Sequence, residues 1–408
     1  MNARRFPVLI CLILFYQTTM HAQKVVALGD NSLRCAEDPD CINRLHPAIP
    51  MRTVADPGDT IVFNCKNAMD VDLNPLAPEL QREEDPQIGF VHPLTGPVHI
   101  RGAEPGDVLK VTIVDVEPGQ WAWTITSGIV SDEVEGYLYV KWKLGEDYAT
   151  SEDLPGIRLP NRSFPGVISV LPGPEQHQVM LARERELLEA GGSVMPPHAK
   201  FAIPKNLCGP GATHAEECLR TIPPREHGGN MDIRYLQKGA TVYLPCYLEG
   251  CGLSLGDTHY IQGDGEVSGT AVEMDGKVTV TTEVLKNRPE LTRGPHYEGP
   301  SSLLDIPSKR FYATTGFPIK AKEFVPGNLE YLASDKLKNL GNLSEDISLA
   351  ARNALLEMID YIAVTYGYSK LQAYIIASVA VDLRIGQLVD VPNVGVTAIL
   401  PLDIFGHK

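Results

Sequence analysis

The sequence predicts a mainly β protein, with a β-barrel-like or sandwich-like core, α/β additions and a C-terminal helical segment. Glycine and proline account for 36 and 32 of the 408 residues, so turns should be frequent and long helices few. Alternating apolar segments recur directly after glycine turns, which is typical of half-buried strands. Near the C-terminus the apolar spacing changes to that of helices.

The strand segments share one turn device. The segments 56–65 (DPGDTIVFNC) and 104–117 (EPGDVLKVTIVDVE) each begin with a Pro-Gly-Asp turn that leads into apolar alternation, and 237–248 (QKGATVYLPCYL) repeats this more loosely. The segment 266–285 has the pattern of a hairpin, with its turn at Asp275-Gly276 between two alternating runs. This recurrence favours antiparallel β-structure over a parallel βαβ sheet, and the phosphate-binding motifs of nucleotide enzymes are missing from the sequence.

Three segments have helical spacing. Residues 174–192 could form a first helix, with Gly191 near its C-terminal end. The segment after 344 has a Ser344 cap, an acidic first turn, one apolar stripe, and Gly367 as its end. A further helix from about 369 to 383 is apolar almost throughout, so we expect it to be buried inside the protein.

The N-terminus predicts export. Arg4 and Arg5 precede an apolar run that is too short to span a bilayer, and Ala22 is a plausible cleavage point. An uncleaved anchor is the alternative. We therefore divide the chain into a signal peptide (1–22), a β-rich domain that carries the site (23–285) and a mixed segment with the C-terminal helices (286–408), and we expect a secreted, lumenal or periplasmic protein. The formal net charge of −15 argues against nucleic acid and anionic membranes as partners.

The cysteines agree with an oxidising compartment. Of the seven outside the signal peptide, six fall in three close pairs, which suggests local disulfides. The pairs are Cys35/Cys41, Cys208/Cys218 and Cys246/Cys251. Cys65 is left over in an alternating strand segment, where a buried free thiol is expected.

Two polar, glycine-rich segments are candidates for a functional site. They are 223–236 (PPREHGGNMDIRYL) and 254–266 (SLGDTHYIQGDGE), and we expect them to flank one strand, near Thr241–Pro245, and to meet in one cavity. In an extended segment Asp257 and His259 point to the same side, so a carboxylate and an imidazole would face one volume, as a metal site or an acid–base pair requires. Asp264-Gly265 by itself is better explained as a turn.

These segments, read together, resemble the acetamidase/formamidase family. The run from PPREHGGNMDI to GDTHYIQGDGEVSGTAVE carries most of the resemblance, and HPAIP at 46–50, 91–119 and SFPGVISVLPG at 163–173 also fit, over roughly 44–405. The resemblance implies a β-rich fold with flanking α/β elements, release of ammonia from formamide or acetamide, and one pocket between the two polar segments. His227 stands where the family has asparagine, and Cys246 and Cys251 replace apolar residues.

Amide hydrolysis needs an activated nucleophile, a stabilised oxyanion and a proton for the leaving nitrogen. The sequence has no G-x-S-x-G elbow and no cysteine in an electropositive motif, so we expect water attack, helped by a carboxylate base or a divalent cation such as zinc or calcium. The candidate cation ligands are His92, Asp232, Asp257 and His259. The candidate catalytic residues are Glu226, Glu266 and His259. The candidate substrate-binding residues are Asn230, Gln262, Gly228 and Gly229.

Several alternatives stay open at this stage. His92 could be a hydrogen-bonding residue at a strand edge, and a raised carboxylate pKa could replace the cation. The protein could be a non-catalytic exported β-rich binding protein of the same fold, or a hydrolase of a larger amide or a ureide. We expect a small amide substrate, no nucleotide cofactor, no membrane association after signal cleavage, and a homo-oligomer.

Overall fold

The computed structural model describes residues 23–71, 89–126, 128–131, 133–191, 194–318, 346–388 and 394–406. The first ten strands are β1 Val25–Leu28, β2 Cys41–Ile42, β3 Arg44–Leu45, β4 Thr53–Ala55, β5 Thr60–Cys65, β6 Leu94–Ile100, β7 Val108–Ile125, β8 Tyr139–Leu144, β9 Tyr148–Thr150 and β10 Leu159–Pro160. The next ten are β11 Phe164–Ser169, β12 Leu219–Arg220, β13 Gly228–Asn230, β14 Thr241–Pro245, β15 Cys251–His259, β16 Glu273–Leu285, β17 His296–Glu298, β18 Phe311–Gly316, β19 Asp382–Gln387 and β20 Gly395–Pro401. The α-helices are α1 Pro174–Glu189, α2 Lys205–Cys208, α3 Ile347–Tyr366 and α4 Lys370–Ala380.

Most of the strands belong to one branched sheet. Fifteen strands hydrogen-bond into it, and its main path runs β10-β9-β8-β7-β16-β15-β11-β13. The long strands β7 and β16 pair antiparallel along most of their length, and β5, β6 and β14 branch from the path. A separate three-stranded sheet, β18-β20-β19, contacts the C-terminal helix α3. The predicted mainly β class with a C-terminal helical segment is confirmed.

The strands that follow glycine turns form as the alternation predicts. Gly58 and Gly106 have φ values of 90° and 91°, which residues with a side chain rarely adopt, and each precedes a strand. In β5 the inward residues Ile61, Phe63 and Cys65 are completely buried, while the residues between them are half-buried. The sequence pattern therefore predicts both the start of the strand and the face that it buries.

The hairpin predicted at 266–285 is wrong. β16 runs through Asp275 and Gly276 without reversing, and the pairing with β7 shifts register there. The Asp275 carboxylate accepts hydrogen bonds from the backbone and side-chain nitrogens of Asn67. The Asp-Gly pair thus marks an irregularity inside a long strand, because β5 and β7 supply partners on both sides of it.

The C-terminal helices differ from prediction at their ends. The side chain of Asp346 accepts bonds from the first turn of α3, so Asp346 is the cap, and Ser344 lies outside the described residues. Gly367 ends α3 with a φ of 77°, as predicted. Ser369 begins α4 with a capping box, but α4 ends at Ala380, before the predicted 383, because the chain continues as β19.

One apolar core contains side chains from both predicted segments that follow residue 22. Leu109 and Val280 from 23–285 belong to it, and so do Met358 and Ile376 from 286–408. The completely buried middle of α4 fits its nearly uniform apolar sequence. Within the described part of the chain, no helix has the length and apolar character needed to cross a membrane.

The three predicted cysteine pairs are bonded in the structure, with Cα–Cα distances of 5.2, 5.7 and 4.8 Å for Cys35–Cys41, Cys208–Cys218 and Cys246–Cys251. Cys65 is free and buried, as predicted. Burial raises the pKa of its thiol to about 12, so this cysteine stays protonated and is no nucleophile.

Candidate active site

Strand β11 brings the two polar segments together. On one side it pairs with β13, which contains Gly228–Asn230, and on the other side with β15, which ends at His259. The segments were expected to flank the strand near Thr241–Pro245, but that strand, β14, pairs with β7 and β17. The sequence thus predicts the meeting of the two segments but assigns it to the wrong strand, because β11 lies more than fifty residues upstream of β13.

Asp257 and His259 form the centre of the site. They lie two residues apart in β15, and the Asp257 Oδ2 atom is 3.3 Å from His259 Nε2, so the predicted shared face is observed. The Phe164 ring packs edge-on against the His259 ring at 5.1 Å. Both polar side chains are almost completely buried. An imidazole and a carboxylate are therefore held together away from bulk water.

Glu273 is a member of the site that sequence reasoning missed. It is the residue of β16 directly opposite His259, and its Oε2 atom lies 3.2 Å from His259 Nε2. The signal in the sequence was a glutamate inside the apolar run TAVEM, where a buried acid needs a partner. The incorrect hairpin assignment placed it in an ordinary strand arm.

Asp232 and Glu266 complete one side of the cluster. One potential ligand atom each from Asp232, His259 and Glu266 lie within 4.8 Å of one another. One atom each from Asp257, His259 and Glu273 form a second such group. Asp232, Asp257 and Glu266 have φ values of 49°, 54° and 42°, in the left-handed region that side chains seldom adopt. Three acidic residues with a strained backbone at one site indicate that their side chains are placed there for a function.

Gly166 in β11 makes this convergence possible. A Cβ atom at that position would lie 2.7 Å from Asp232 Oδ1, 2.8 Å from Asp257 Oδ2 and 2.8 Å from His259 Cε1. A side chain there would displace at least one of these groups. Glycine is therefore required here because the three side chains approach the β11 backbone closely. The surrounding sequence, SFPGVIS, does not indicate this.

His92 lies at the edge of the cluster. Its Nε2 atom is 3.8 Å from Asp257 Oδ2, and its Nδ1 atom is 3.3 Å from the Thr221 hydroxyl. Burial lowers the pKa of His92, more than nearby Asp257 raises it. The imidazole is therefore neutral and can offer a lone pair, as a cation ligand must.

Gln262 positions His259, which differs from its predicted role in substrate binding. Its Nε2 atom donates to the Asp232 carbonyl oxygen at 2.9 Å, so its Oε1 atom faces His259 Nδ1, also at 2.9 Å. This network assigns the Nδ1 proton to His259. His259 Nε2 then points at the carboxylates, either as a protonated donor or as a free lone pair.

The structure does not bring every predicted residue into the cluster. Glu226 pairs with Arg183 of α1, at 2.6 Å, and 37% of its side chain is exposed, so its predicted catalytic role is not supported. The Gly228 amide donates to the Arg225 carbonyl oxygen in a tight turn, and Gly229 pairs with Ile168 in the sheet, so the predicted amide cradle for substrate does not form. Asn230 pairs with Val167 in β11, and its buried Oδ1 atom has no partner within the described residues.

Burial and mutual repulsion set the charges of the cluster. Burial, followed by repulsion from Asp257, raises the pKa of Asp232 to about 8, and burial likewise raises the pKa of Glu266 and Glu273. For Asp257 burial is outweighed by the charge of His259 and its hydrogen bond, which hold the pKa of this carboxylate below the usual range. Burial would lower the pKa of His259, but Glu273 and Asp257 raise it well above 6.5. Burial thus favours the protonated form of Asp232, Glu266 and Glu273, whereas Asp257 is held in its ionised form beside His259.

The donor set also fits a divalent cation. In the described chain, four buried atoms of the cluster have no hydrogen-bond partner. They are Asp232 Oδ1, Asp257 Oδ1, His259 Nε2 and Glu273 Oε2. Imidazole nitrogens together with carboxylate oxygens suit zinc, whereas calcium prefers oxygen alone.

Comparisons with known proteins identify the family of this chain. The sequence model of the Acetamidase/Formamidase family matches residues 30–407. A formamidase from Methylophilus methylotrophus is 32% identical over 391 residues, which is 90% of each chain. An acetamidase from Mycolicibacterium smegmatis is 30% identical and covers 82% of this chain and 84% of its own. The solved structure of a gamma lactamase from Delftia acidovorans superposes with a TM-score of 0.81 at 29% identity, over 94% of each chain.

The β-rich fold and the buried cluster of carboxylates and imidazoles, taken with these relatives, define a hydrolase that acts on amides. The chain belongs to the acetamidase/formamidase family.

Proposed function

We propose that this protein hydrolyses short linear amides of the formamide or acetamide kind to a carboxylate and ammonia by water attack. The observation that carries this proposal is His259, buried between Asp257 and Glu273 with Asp232 and Glu266 beside it. The cluster supplies acids and bases at one point, in a family whose curated relatives are named for these two substrates.

The residues divide into proton acceptor and proton donors by their charge. Asp257 stays ionised, so its Oδ1 atom can accept a proton from the attacking water. Burial raises the pKa of Asp232 to about 8 and that of Glu266 well above its usual value, so either residue can donate a proton to the leaving nitrogen. Asp232 and Glu266 are also half-buried, whereas His259 is closed off, so the donors lie on the more accessible side.

A divalent cation would be held by Asp232, Asp257, His259 and His92, with Glu273 or Glu266 close enough to join. When bound, such a cation polarises the amide carbonyl and lowers the pKa of water. In that case Gln262 Oε1 accepts a hydrogen bond from His259 Nδ1–H, which leaves the lone pair of His259 Nε2 free for the cation.

The test is an ammonia-release assay on the purified protein with formamide, acetamide and propionamide, together with a ring-opening assay on a γ-lactam, before and after treatment with a chelator. We expect turnover of formamide or acetamide, and loss of activity with chelator that added zinc restores. Ring opening of the γ-lactam, followed by product chromatography, represents the alternative of a larger or cyclic amide, which the likeness to the gamma lactamase favours. Turnover of the γ-lactam with no turnover of the linear amides would refute the short-amide assignment.

We further propose that the protein acts outside the cytosol, after removal of residues 1–22. The basic start, the short apolar run and Ala22 support this, and so do the three disulfides, which form in oxidising compartments. We expect mature protein from its native compartment to begin near Gln23. N-terminal sequencing that finds Met1 in that material would contradict the proposal.

A further inference from the structure

Trp123 lies in the same cross-strand row as the site. Register pairs His259 of β15 with Glu273 of β16, and Glu273 with Trp123 of β7. Directly opposite residues of adjacent strands point to the same face, with Cβ atoms about 4.5–5.5 Å apart. Trp123 is therefore next to Glu273 on the face that carries the cluster.

Apolar side chains surround Trp123, and two of them are chain neighbours of residues at the His92 edge of the site. Trp123 packs in a buried group with Met69, Val91 and Ile125, and Ile222 packs against this group. Val91 precedes His92, and Ile222 follows Thr221, whose hydroxyl contacts the His92 ring. The group is thus an apolar wall beside the cluster, suited to the hydrocarbon part of an acyl chain.

The indole of Trp123 carries a polar atom that has no partner in the described part of the chain. Trp123 is completely buried, and across the described ranges nothing accepts a hydrogen bond from its Nε1–H. A buried donor without an acceptor is destabilising. Trp142, which is equally buried, shows the usual arrangement, because its Nε1–H donates to the Thr124 hydroxyl at 2.9 Å.

We propose that Trp123 is a substrate-binding residue, whose Nε1–H donates to the carbonyl oxygen of the amide while its ring contacts the acyl group. This rests on the amide hydrolysis proposed above and extends it to substrates with an apolar acyl chain. The carbonyl oxygen gains negative charge during water attack, so a donor held in place among buried apolar side chains binds the transition state more strongly than the substrate. Substrate binding thereby gives this donor the acceptor that the described residues do not supply.

The test compares Trp123→Phe with Trp142→Phe, using ammonia release from acetamide and hydrogen sulfide or ammonia release from thioacetamide. Sulfur accepts hydrogen bonds more weakly than oxygen. We expect Trp123→Phe to lower kcat/KM for acetamide by about 10–100-fold, mostly in kcat, and to lower that for thioacetamide much less. Trp142→Phe should leave both within about threefold, since it lies on the opposite face of the sheet.

Stability and pH dependence separate this role from a structural one. In urea unfolding, Trp142→Phe should shift the midpoint down, because a buried hydrogen bond is lost, while Trp123→Phe should not, because none is lost. The pH profile of kcat/KM should keep its shape in Trp123→Phe. Equal losses for acetamide and thioacetamide, a shifted pH profile, or unchanged acetamide activity would each overturn the proposal. If the wild type turns over a different amide, the same pair of variants is compared on that amide and its thioamide, so failure of the short-amide assignment is distinguished from failure at Trp123.

Discussion

Glu266→Gln should lower kcat/KM for the preferred amide by about 10²–10⁴-fold while the protein remains folded. Burial raises the pKa of Glu266 well above its usual value, which favours the neutral carboxyl, and glutamine is a neutral group of nearly equal size. The substitution removes the proton that the leaving nitrogen needs. Ammonia release measures the activity, and circular dichroism with thermal unfolding measures the fold.

Glu226→Gln is the matched control, because Glu226 lies in the other polar segment but pairs with Arg183 at a partly exposed position. Exposed ion pairs contribute little to stability, so this variant should resemble the wild type in activity and in unfolding. Wild-type activity in Glu266→Gln, or a large loss in Glu226→Gln, would reverse the assignment of the two glutamates.

His259→Ala should abolish measurable amide hydrolysis and weaken divalent-cation binding by more than about 100-fold. His259 is the group shared by both sets of potential ligands, Asp232/His259/Glu266 and Asp257/His259/Glu273. Without His259, the neighbouring carboxyl groups also lose the positively charged imidazole that offsets their mutual repulsion. Metal content after dialysis against limiting zinc, measured by mass spectrometry, and ammonia release are the two measurements.

A second cluster provides the control for that experiment. His46, His214 and Glu217 also lie within 4.8 Å of one another, away from β15. The Ala48 amide, at 3.0 Å, donates to His46 Nδ1, which places the His46 proton on Nε2 and leaves no lone pair facing Glu217. We therefore expect His214→Ala to keep both metal and activity. If His214→Ala lost the metal and His259→Ala retained it, the cation would belong to the second cluster.

Local rules predicted part of the site. The two-residue spacing of Asp257 and His259 was sufficient, because side chains alternate along a strand even where one residue has a strained φ. The same kind of reasoning failed for Glu226, whose side chain turns toward an arginine in α1, 43 residues earlier in the chain. It also assigned Gln262 to substrate binding. In the structure the Gln262 side chain donates to the Asp232 carbonyl oxygen, and this contact, which turns the amide oxygen toward His259, cannot be read from the sequence.

Glu273 shows why register cannot be obtained from a local pattern. The Asp275-Gly276 pair following it has the composition of a hairpin turn, and composition alone favours that reading. In the folded protein β5, β7 and β15 all pair with β16, and their combined hydrogen bonds keep the strand extended through that pair. Glu273 consequently faces His259 instead of solvent.

The amino-acid sequence by itself determined the β class, the strands that follow glycine turns, the buried C-terminal helix, the disulfide pairs and the family, since these depend on composition, short-range spacing and motifs. Tertiary structure decided which acids share the site, through the pairing of β11 with β13 and β15 and the close approach at Gly166. It also decided their charges. A carboxylate's pKa depends on burial and on charges a few ångströms away, and both are set by residues that are distant in the chain.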